Sequence, residues 1–260
     1  MIDTHCHLDR PEFDADRAEV LARARAAGVT DVVVPAVGPS DWAALIALAR
    51  STPGLHAGLG IHPQLLPGLP PADDDRHLAD LDAALARGGA VAVGECGLDG
   101  PSVAAGASLE RQGAVLAGHL ALARKHGLPV SLHAHRALGP MLALLEREGL
   151  PAGGVLHSFS GSVEQVAPFV RLGLHFAFAG SLTWERARKP VLAIRAVPPE
   201  RLLLETDAPD QTPRPHRGRC EPAHLAEVAA EAAAALGRPL AEVDALTSAN
   251  ARRLFRLALP

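Results

Sequence analysis

Short apolar runs alternate along the chain with longer segments whose apolar positions have a helical period. The short runs are rich in Val and Leu and show no regular alternation with polar residues, which is typical of parallel strands buried on both faces. These runs are Met1–Thr4, Asp31–Val37, Leu55–Gly60, Ala90–Gly94, Pro129–Leu132, Gly154–Leu156, Leu174–Ala177 and Arg201–Leu204. We therefore predict an α/β fold with a parallel sheet.

Helical segments are predicted between these runs and after the last one. They span Asp14–Ala27, Pro39–Arg50, Asp75–Ala86, Ser108–His126, Gly139–Glu148, Ser162–Leu172, a broken Thr183–Ala196, Pro222–Leu236, Pro239–Leu246 and Ser248–Leu257. Eight strands with helices between them favour a closed (β/α)8 TIM barrel over an open sheet, and a length of 260 residues suits one such barrel. Because no linker or low-complexity stretch divides the chain, we predict a single domain over residues 1–260.

Composition narrows the class of protein only moderately. Hydrophobic residues make up 48% of the chain and aromatic residues 3%, so Ala, Leu, Val and Ile must fill the core. The net charge of −4 argues against binding of nucleic acid through the overall charge of the surface. Any phosphate would have to be bound by a local group of residues. Cys6, Cys96 and Cys220 are too scattered for a disulfide framework. With no signal peptide and no apolar run of about 18 residues, we expect a cytoplasmic protein that does not enter a membrane.

Two histidines flank Cys6 at the end of the first apolar run. Residues i and i+2 of an extended segment point the same way, so the imidazoles of His5 and His7 can approach one cation. An HxH pattern alone is weak, since two unrelated polar residues near a terminus would look the same.

Four further metal-capable side chains follow four other predicted strands. Glu95 follows the fourth strand, His133 and His157 end the fifth and sixth, and Asp207 follows the eighth. Barrel enzymes place their sites at this carboxyl end of the strands. Together with His5 and His7, these positions are hard to assign to chance.

The mixture of imidazole and carboxylate suits divalent ions, with Zn, Mg and Mn as candidates. A carboxylate can bridge two cations, and Glu95 lies centrally among the strands. One ion would take His5, His7, Glu95 and Asp207 as ligands, and the other would take Glu95, His133 and His157. Two ions so placed polarise a phosphoryl oxygen and activate water, and Asp207 could also accept the proton of that water.

A series of motifs extends over nearly the whole chain in a fixed order. They are IDTHCHLD at the start, GLGIHP at 58–63, GECGLD, LPVSLHAHRA, GVLHSFSG, LLLETDAP and NARRLF at 250–255. In this order and spacing the chain resembles the TatD deoxyribonuclease family. The resemblance implies a TIM barrel of the metallo-dependent hydrolase type with 3′–5′ exonuclease-like activity on DNA, and it implies the same six ligands.

The resemblance also suggests roles around the metal ligands. His62 in GIHP matches a family position near the substrate, as a candidate for phosphate contact or leaving-group protonation, although a histidine packed in the loop is the alternative. Glu205 lies two residues before Asp207 and either supports the ligands or forms a structural ion pair. We take Glu95, Asp207 and His62 as the candidate catalytic residues.

Several positions depart from the family pattern. Gly100 follows GLD where an aromatic residue is usual, Gln64 follows GIHP where histidine is common, and His119 stands where glutamine is usual. The usual H-x-R reads His133-Ala134-His135, with Arg136 one place later. These departures concern the rim of the site, so they affect the identity of the substrate more than the metal chemistry.

The expected partner is DNA, as single strands or frayed ends, with a monomer favoured. The loop after Asp207 carries Arg214, His216, Arg217 and Arg219, which either meet phosphates or form a solvated loop. Trp184 is the one plausible platform for base stacking.

Three other functions compete with this interpretation. A barrel amidohydrolase often bridges its metals with a modified lysine, but Lys125 and Lys189 fall in predicted helices. A deacylase of mischarged transfer RNA would use the same metal site and is not separated by the sequence. A metal-binding scaffold without catalysis has little physical need for an open site with two metals.

Overall fold

The structure, a computed structural model, describes residues 1–150 and 152–258. It contains the eight strands that the apolar runs predict. They are β1 Ile2–Asp3, β2 Asp31–Pro35, β3 Leu55–Leu59, β4 Ala90–Asp99, β5 Val130–His135, β6 Gly154–Leu156, β7 Leu174–Phe178 and β8 Leu202–Leu204.

The strands form one sheet in sequence order, from β1 to β8. The pairs β1–β2, β3–β4, β4–β5, β5–β6 and β7–β8 are parallel. At the end of β1, Thr4 N donates to Leu204 O of β8 at 3.2 Å, so the last strand also meets the first. The predicted (β/α)8 TIM-barrel class is confirmed.

Helices connect the strands. They are α1 Arg17–Ala26, α2 Trp42–Ser51, α3 Asp74–Ala86, α4 Pro101–Ala104, α5 Leu109–His126, α6 Leu138–Glu148, α7 Val163–Arg171, α8 Arg188–Ala196, α9 Leu225–Leu236 and α10 Leu240–Phe255. In α5 the side chain of Ser108 accepts from Arg111 N at 3.1 Å, and Gly127 ends the helix in the left-handed conformation at φ 65°, as predicted. Among the described residues, no helix combines the length and the apolar character needed to cross a membrane.

The chain divides into two compact units. The terminal unit comprises Met1–Val34 and the chain from His157 onward, and the central unit comprises Pro35–Leu156. The core of the terminal unit combines aliphatic residues with fully buried aromatic side chains, which are Phe13, Phe169, Phe176, Phe178 and Phe255. Leucines fill the core of the central unit, and its fully buried members include Leu45, Leu59, Leu81, Leu98 and Leu116. A single domain over residues 1–260 stays a prediction.

Two element boundaries differ from the sequence-based expectation in ways that matter. β4 runs to Asp99 instead of ending at Gly94, so Glu95 lies within a strand and pairing with β5 continues to Asp99 opposite His135. Gly97 allows β5 to lie close to β4 at this point, because a Cβ at Gly97 would overlap the carbonyl oxygen of His133. Pairing therefore continues past the buried carboxylate of Glu95.

The last helix also differs from the expectation. The predicted pair Pro239–Leu246 and Ser248–Leu257 is one continuous helix, α10. Thr247, which lies between the two predicted segments, donates from its Oγ1 to Val243 O at 2.9 Å, so its hydroxyl forms a hydrogen bond within the helix.

His119 of α5 links this helix to the chain just beyond β3. It is fully buried, its Nε2 accepts from Ile61 N at 3.0 Å, and its Nδ1 donates to Val115 O at 2.8 Å. Both contacts require the neutral imidazole, and burial lowers the pKa of His119 from 6.5 to about 4.

We expect His119→Gln to reduce the loss of stability in acid. Because the pKa of His119 is about 4 in the folded protein and 6.5 when unfolded, the unfolded state binds the proton more readily. The stabilisation is complete above about pH 6.5 and is lost as pH falls towards 4, by roughly 3 kcal/mol. Glutamine offers an acceptor for Ile61 N and a donor for Val115 O without titrating in this range.

The measurement is the free energy of unfolding by urea at several pH values between 4 and 7.5. The difference between the variant and the wild type should shift in favour of the variant as pH falls. His56→Gln in β3 is the matched control, because that imidazole is only partly buried. Parallel pH curves for wild type and His119→Gln would contradict the assignment.

Candidate metal centre

The backbone at the ends of β1 and β8 brings His5, His7 and Asp207 together in the terminal unit. Asp207 N donates to His5 O at 2.9 Å, and His7 N donates to Ala208 O at 2.8 Å, so the parallel pairing continues past the strand ends. The Nε2 atoms of His5 and His7 lie 3.3 Å apart, and Asp207 Oδ1 is 3.8 Å from each. The structure thus brings the two imidazoles together, and their role as ligands of one ion stays a prediction.

These separations fit the ligands of one divalent ion. A tetrahedral zinc site with bonds of about 2.0–2.1 Å separates its ligand atoms by about 3.3 Å. His5 is fully buried and His7 is partly buried, so of these two imidazoles His7 is the one that solvent reaches. The donor set of two neutral imidazoles and one carboxylate suits zinc or manganese.

Asp207 is held in place from its other oxygen. Its backbone is left-handed at φ 56°, and Gln211 Nε2 donates to Oδ2 at 2.5 Å. The same amide nitrogen of Gln211 donates to Ser158 Oγ at 2.6 Å. Oδ1 of Asp207 therefore faces the two imidazoles while Oδ2 is occupied.

His157 lies in the same unit beside His5. The two rings stack with centroids 3.9 Å apart, and His157 Nδ1 is 3.4 Å from Glu205 Oε1. Glu205 is fully buried, and its Oε1 also accepts from Ser158 N at 2.6 Å. The contact of Glu205 with His157 favours the supporting role over an ion pair with an arginine or lysine.

Asp3 is a buried carboxylate that the sequence analysis did not single out. Its Oδ1 accepts from His5 N at 3.3 Å and from Thr206 N at 3.0 Å, which joins the segments carrying His5 and Asp207. Burial raises the pKa of Asp3 to about 8. Its position two residues before His5 on the same side of the strand was the available signal.

In the central unit, Glu95 of β4 is the meeting point of two histidines. Glu95 Oε1 lies 3.1 Å from His62 Nε2 and 3.0 Å from His133 Nδ1, and the carboxylate is buried. Gln64 N donates to His62 Nδ1 at 3.1 Å, so His62 carries its proton on Nε2 and donates it to Glu95. His62 therefore lies against a predicted metal ligand.

Asp99 is the second residue that the sequence analysis missed. It is fully buried, and its Oδ2 lies 3.0 Å from His133 Nε2. Its Oδ1 accepts from Ser102 N at 2.8 Å and from Ser102 Oγ at 2.7 Å. Burial alone would raise the pKa of Asp99, but hydrogen bonds from His133, Ser102 and Gln64 hold it well below its usual range. A carboxylate behind a metal-binding histidine fixes its tautomer and orientation.

Two departures from the family pattern meet at Asp99. Gln64 Nε2 donates to Asp99 Oδ2 at 3.1 Å, and His135 Nδ1 lies 3.7 Å from the same oxygen. Both residues therefore contact the carboxylate that bonds His133, and these two contacts do not involve Glu95. The predicted ligands of the central unit, Glu95 and His133, keep the residue types of the family motifs.

The predicted ligands thus fall into one group in each unit. The terminal unit brings together His5, His7, His157 and Asp207, and the central unit brings together Glu95 and His133, with His62 beside them. Each group combines imidazole with carboxylate, as a divalent ion requires.

The basic loop after Asp207 is largely engaged by carboxylates. Arg219 lies 2.7 Å from Asp16 and 3.0 Å from Glu221, and hydrogen bonding to Asp16 raises the pKa of Arg219. Arg214 pairs with Glu185 at 2.7 Å on the surface. These contacts favour a structural role for Arg219 over phosphate binding.

Comparisons with known proteins agree with this arrangement. The family model described as TatD related DNase matches residues 2–256. The uncharacterized metal-dependent hydrolase YjjV of Escherichia coli strain K12 is 43% identical over 80% of this chain and 79% of that protein. The 3′–5′ ssDNA/RNA exonuclease TatD of Edwardsiella piscicida is 35% identical over 99% of this chain and 100% of that protein.

The crystal structure of YjjV, a TatD homologue from Escherichia coli K12, has a TM-score of 0.91 and 38% identity, covering 99% of this chain and 98% of that one. The chain therefore belongs to the TatD-related DNase family of metal-dependent hydrolases, as its motifs predict.

Proposed function

We propose that this protein is a 3′–5′ exonuclease-like phosphodiesterase that acts on single-stranded or frayed DNA ends with two divalent ions. The observation that carries the proposal is the pair of histidine–carboxylate groups at the carboxyl ends of barrel strands, His5/His7/Asp207 and Glu95/His133. The relative from Edwardsiella piscicida bears the name of a 3′–5′ exonuclease, which supports the same reaction class.

The ligand assignment follows the strand ends and the family. His5, His7 and Asp207 would hold one ion, His133 and His157 the other, and Glu95 would be the ligand shared by both. Two divalent ions supply charge stabilisation at the scissile phosphate and a water of lowered pKa. The mixture of nitrogen and oxygen ligands favours zinc or manganese over magnesium.

Three residues of the chain would have further roles in the reaction. Asp207 would accept the proton of the attacking water, since it is a carboxylate at the proposed metal site. His62 presents the N–H of its Nε2, which suits a hydrogen bond to the leaving oxygen of the phosphate. Asp99 keeps His133 oriented through the bond to Nε2.

The preference for strand ends follows from charge. At a net charge of −4 the surface does not attract a long duplex, so binding is confined to the neighbourhood of the metal ligands. A site ringed by barrel loops admits a strand end more readily than the middle of a duplex. We expect the chain to act as a monomer.

The test compares two single-stranded DNA substrates of equal sequence in the presence of zinc or manganese. One is linear and labelled at its 5′ end, and the other is covalently closed into a circle. We expect stepwise shortening of the linear strand from its 3′ end and a rate for the circle at least about tenfold lower.

Parallel reactions with RNA, charged transfer RNA and small esters separate the alternatives. Rapid cutting of the circle would overturn the end preference. Activity confined to charged transfer RNA or a small ester would replace the nuclease by a deacylase or an amidohydrolase.

A further inference from the structure

We propose that Trp184 is a stacking platform for a nucleobase of the bound strand, next to the metal ligand Asp207. The proposal rests on the proposed function and adds a binding position to it. Aromatic rings stack on every base, so a platform of this kind binds single strands with little preference for sequence.

Trp184 is an unusual residue on this surface. Aromatic residues make up only 3% of the chain. Among the large apolar side chains that are exposed in the described part of the chain, Trp184 is the one aromatic residue, with 48% of its surface accessible. The other tryptophan, Trp42, is buried and donates to Gly60 O at 3.0 Å. Burial of the ring therefore does not explain why an indole stands at position 184.

The exposed indole is fixed in place. Its Nε1 donates to Thr212 O at 3.1 Å, and the backbone carbonyl of Trp184 accepts from Ala187 N at 2.9 Å. A ring held by both its edge and its backbone loses little conformational freedom when a base stacks on it. The polar edge of the indole is satisfied by the protein, which leaves its faces for an apolar contact.

The loop that holds the indole is joined directly to the metal ligand. Thr212 accepts from Trp184, and its neighbour Gln211 donates to Asp207 Oδ2 at 2.5 Å. Thr183 Oγ1 also accepts from Arg214 N at 2.8 Å. The segment 211–214 therefore connects the platform to Asp207 through adjacent residues, whose Cα atoms lie about 3.8 Å apart.

Close packing keeps the two loops together. A Cβ at Gly180 would overlap the carbonyl oxygen of Gln211, so the start of the loop that carries Trp184 lies against the segment that follows Asp207. A base on the indole would consequently keep a constant position relative to Asp207.

The charges around Trp184 suit a polyanion. Arg186, Arg188 and Lys189 follow it in sequence and are exposed. Arg214 is exposed and forms a surface ion pair with Glu185, which costs little to exchange for a phosphate. The platform is thus flanked by cations that can contact the backbone of a strand whose base lies on the ring.

The experiment measures kcat and KM for the metal-loaded wild type, Trp184→Ala and Trp184→Phe. The substrates are an oligothymidylate and the same strand carrying abasic residues in place of its bases. Removing one stacked base should raise KM for the oligothymidylate on the order of 10- to 100-fold in Trp184→Ala. Trp184→Phe should retain most of the affinity, and the abasic strand should be cut equally by wild type and Trp184→Ala. Leu192→Ala, at another exposed apolar residue, is the matched control.

Fluorescence supplies a readout without turnover. In EDTA, which stops cleavage, titration with the oligothymidylate should quench the tryptophan emission of the wild type but not that of Trp184→Ala. Equal KM values and equal quenching for these two proteins would overturn the platform while leaving the nuclease in place. A wild type that cuts no nucleic acid would instead overturn the proposed function.

Discussion

Replacing Glu95 by glutamine is expected to lower turnover of single-stranded DNA by about 10³-fold or more while the barrel stays folded. The carboxylate faces His62 and His133, and in the proposed site it is the one ligand shared by both ions. Glutamine keeps the shape of the side chain but removes its negative charge, so it would hold the two proposed cations much less well. Metal ions contribute several kcal/mol of transition-state stabilisation, and each 1.36 kcal/mol is tenfold in rate.

The measurements are turnover on end-labelled single-stranded DNA, metal content by elemental analysis, and circular dichroism as the check of folding. We expect a drop from about two bound ions per chain to about one in Glu95→Gln. Glu146→Gln changes an exposed carboxylate on α6 by the same chemistry and should behave as wild type. A folded Glu95→Gln protein with wild-type turnover would exclude the shared ligand.

The sequence predicts the fold class well because buried parallel strands have a simple signature. All eight apolar runs correspond to strands, and the start and end of α5 agree with the residues that cap it. The errors arise where polar residues are buried inside an element. Glu95 and Asp99 on β4 suggest a strand end, yet the strand continues because β5 lies close beside Gly97.

The error at β4 explains why Asp99 was missed. With the strand ended at Gly94, nothing places Asp99 on the same face as Glu95. With the strand continued, the two residues are four apart and share a face, as the period of two requires. His133 then lies between their carboxylates, at 3.0 Å from each.

The family pattern identifies the predicted metal ligands. It is less informative about the supporting residues, which form hydrogen bonds to these ligands and orient them. His5, His7 and Asp207 converge as their motifs suggest, since ligand residues follow strand ends closely. The supports lie in loops: Gln211 holds Asp207 from four residues further along the chain, and Gln64 contacts Asp99. Side chains of this kind depend on loop conformations that no periodic pattern predicts.

We expect His62→Ala to reduce kcat on a DNA phosphodiester by about 10²–10³-fold, the usual contribution of one hydrogen-bond donor to a developing anion, without loss of metal. His62 is buried, and it donates from Nε2 towards Glu95 because Gln64 N occupies its Nδ1. This proton is positioned beside a carboxylate that the substrate phosphate approaches in the proposed site. Without it the leaving oxygen departs as a poorly stabilised anion.

The test measures kcat for wild type, His62→Ala and His62→Gln, with metal content determined for each protein. Glutamine keeps an N–H directed at Glu95, so His62→Gln should recover part of the turnover that His62→Ala loses. A substrate with a good leaving group, such as a nitrophenyl phosphodiester, needs little stabilisation of its leaving oxygen and should be cut by His62→Ala at close to the wild-type rate. Metal loss in His62→Ala would make this residue a ligand, and full activity in His62→Ala on DNA would remove it from the mechanism.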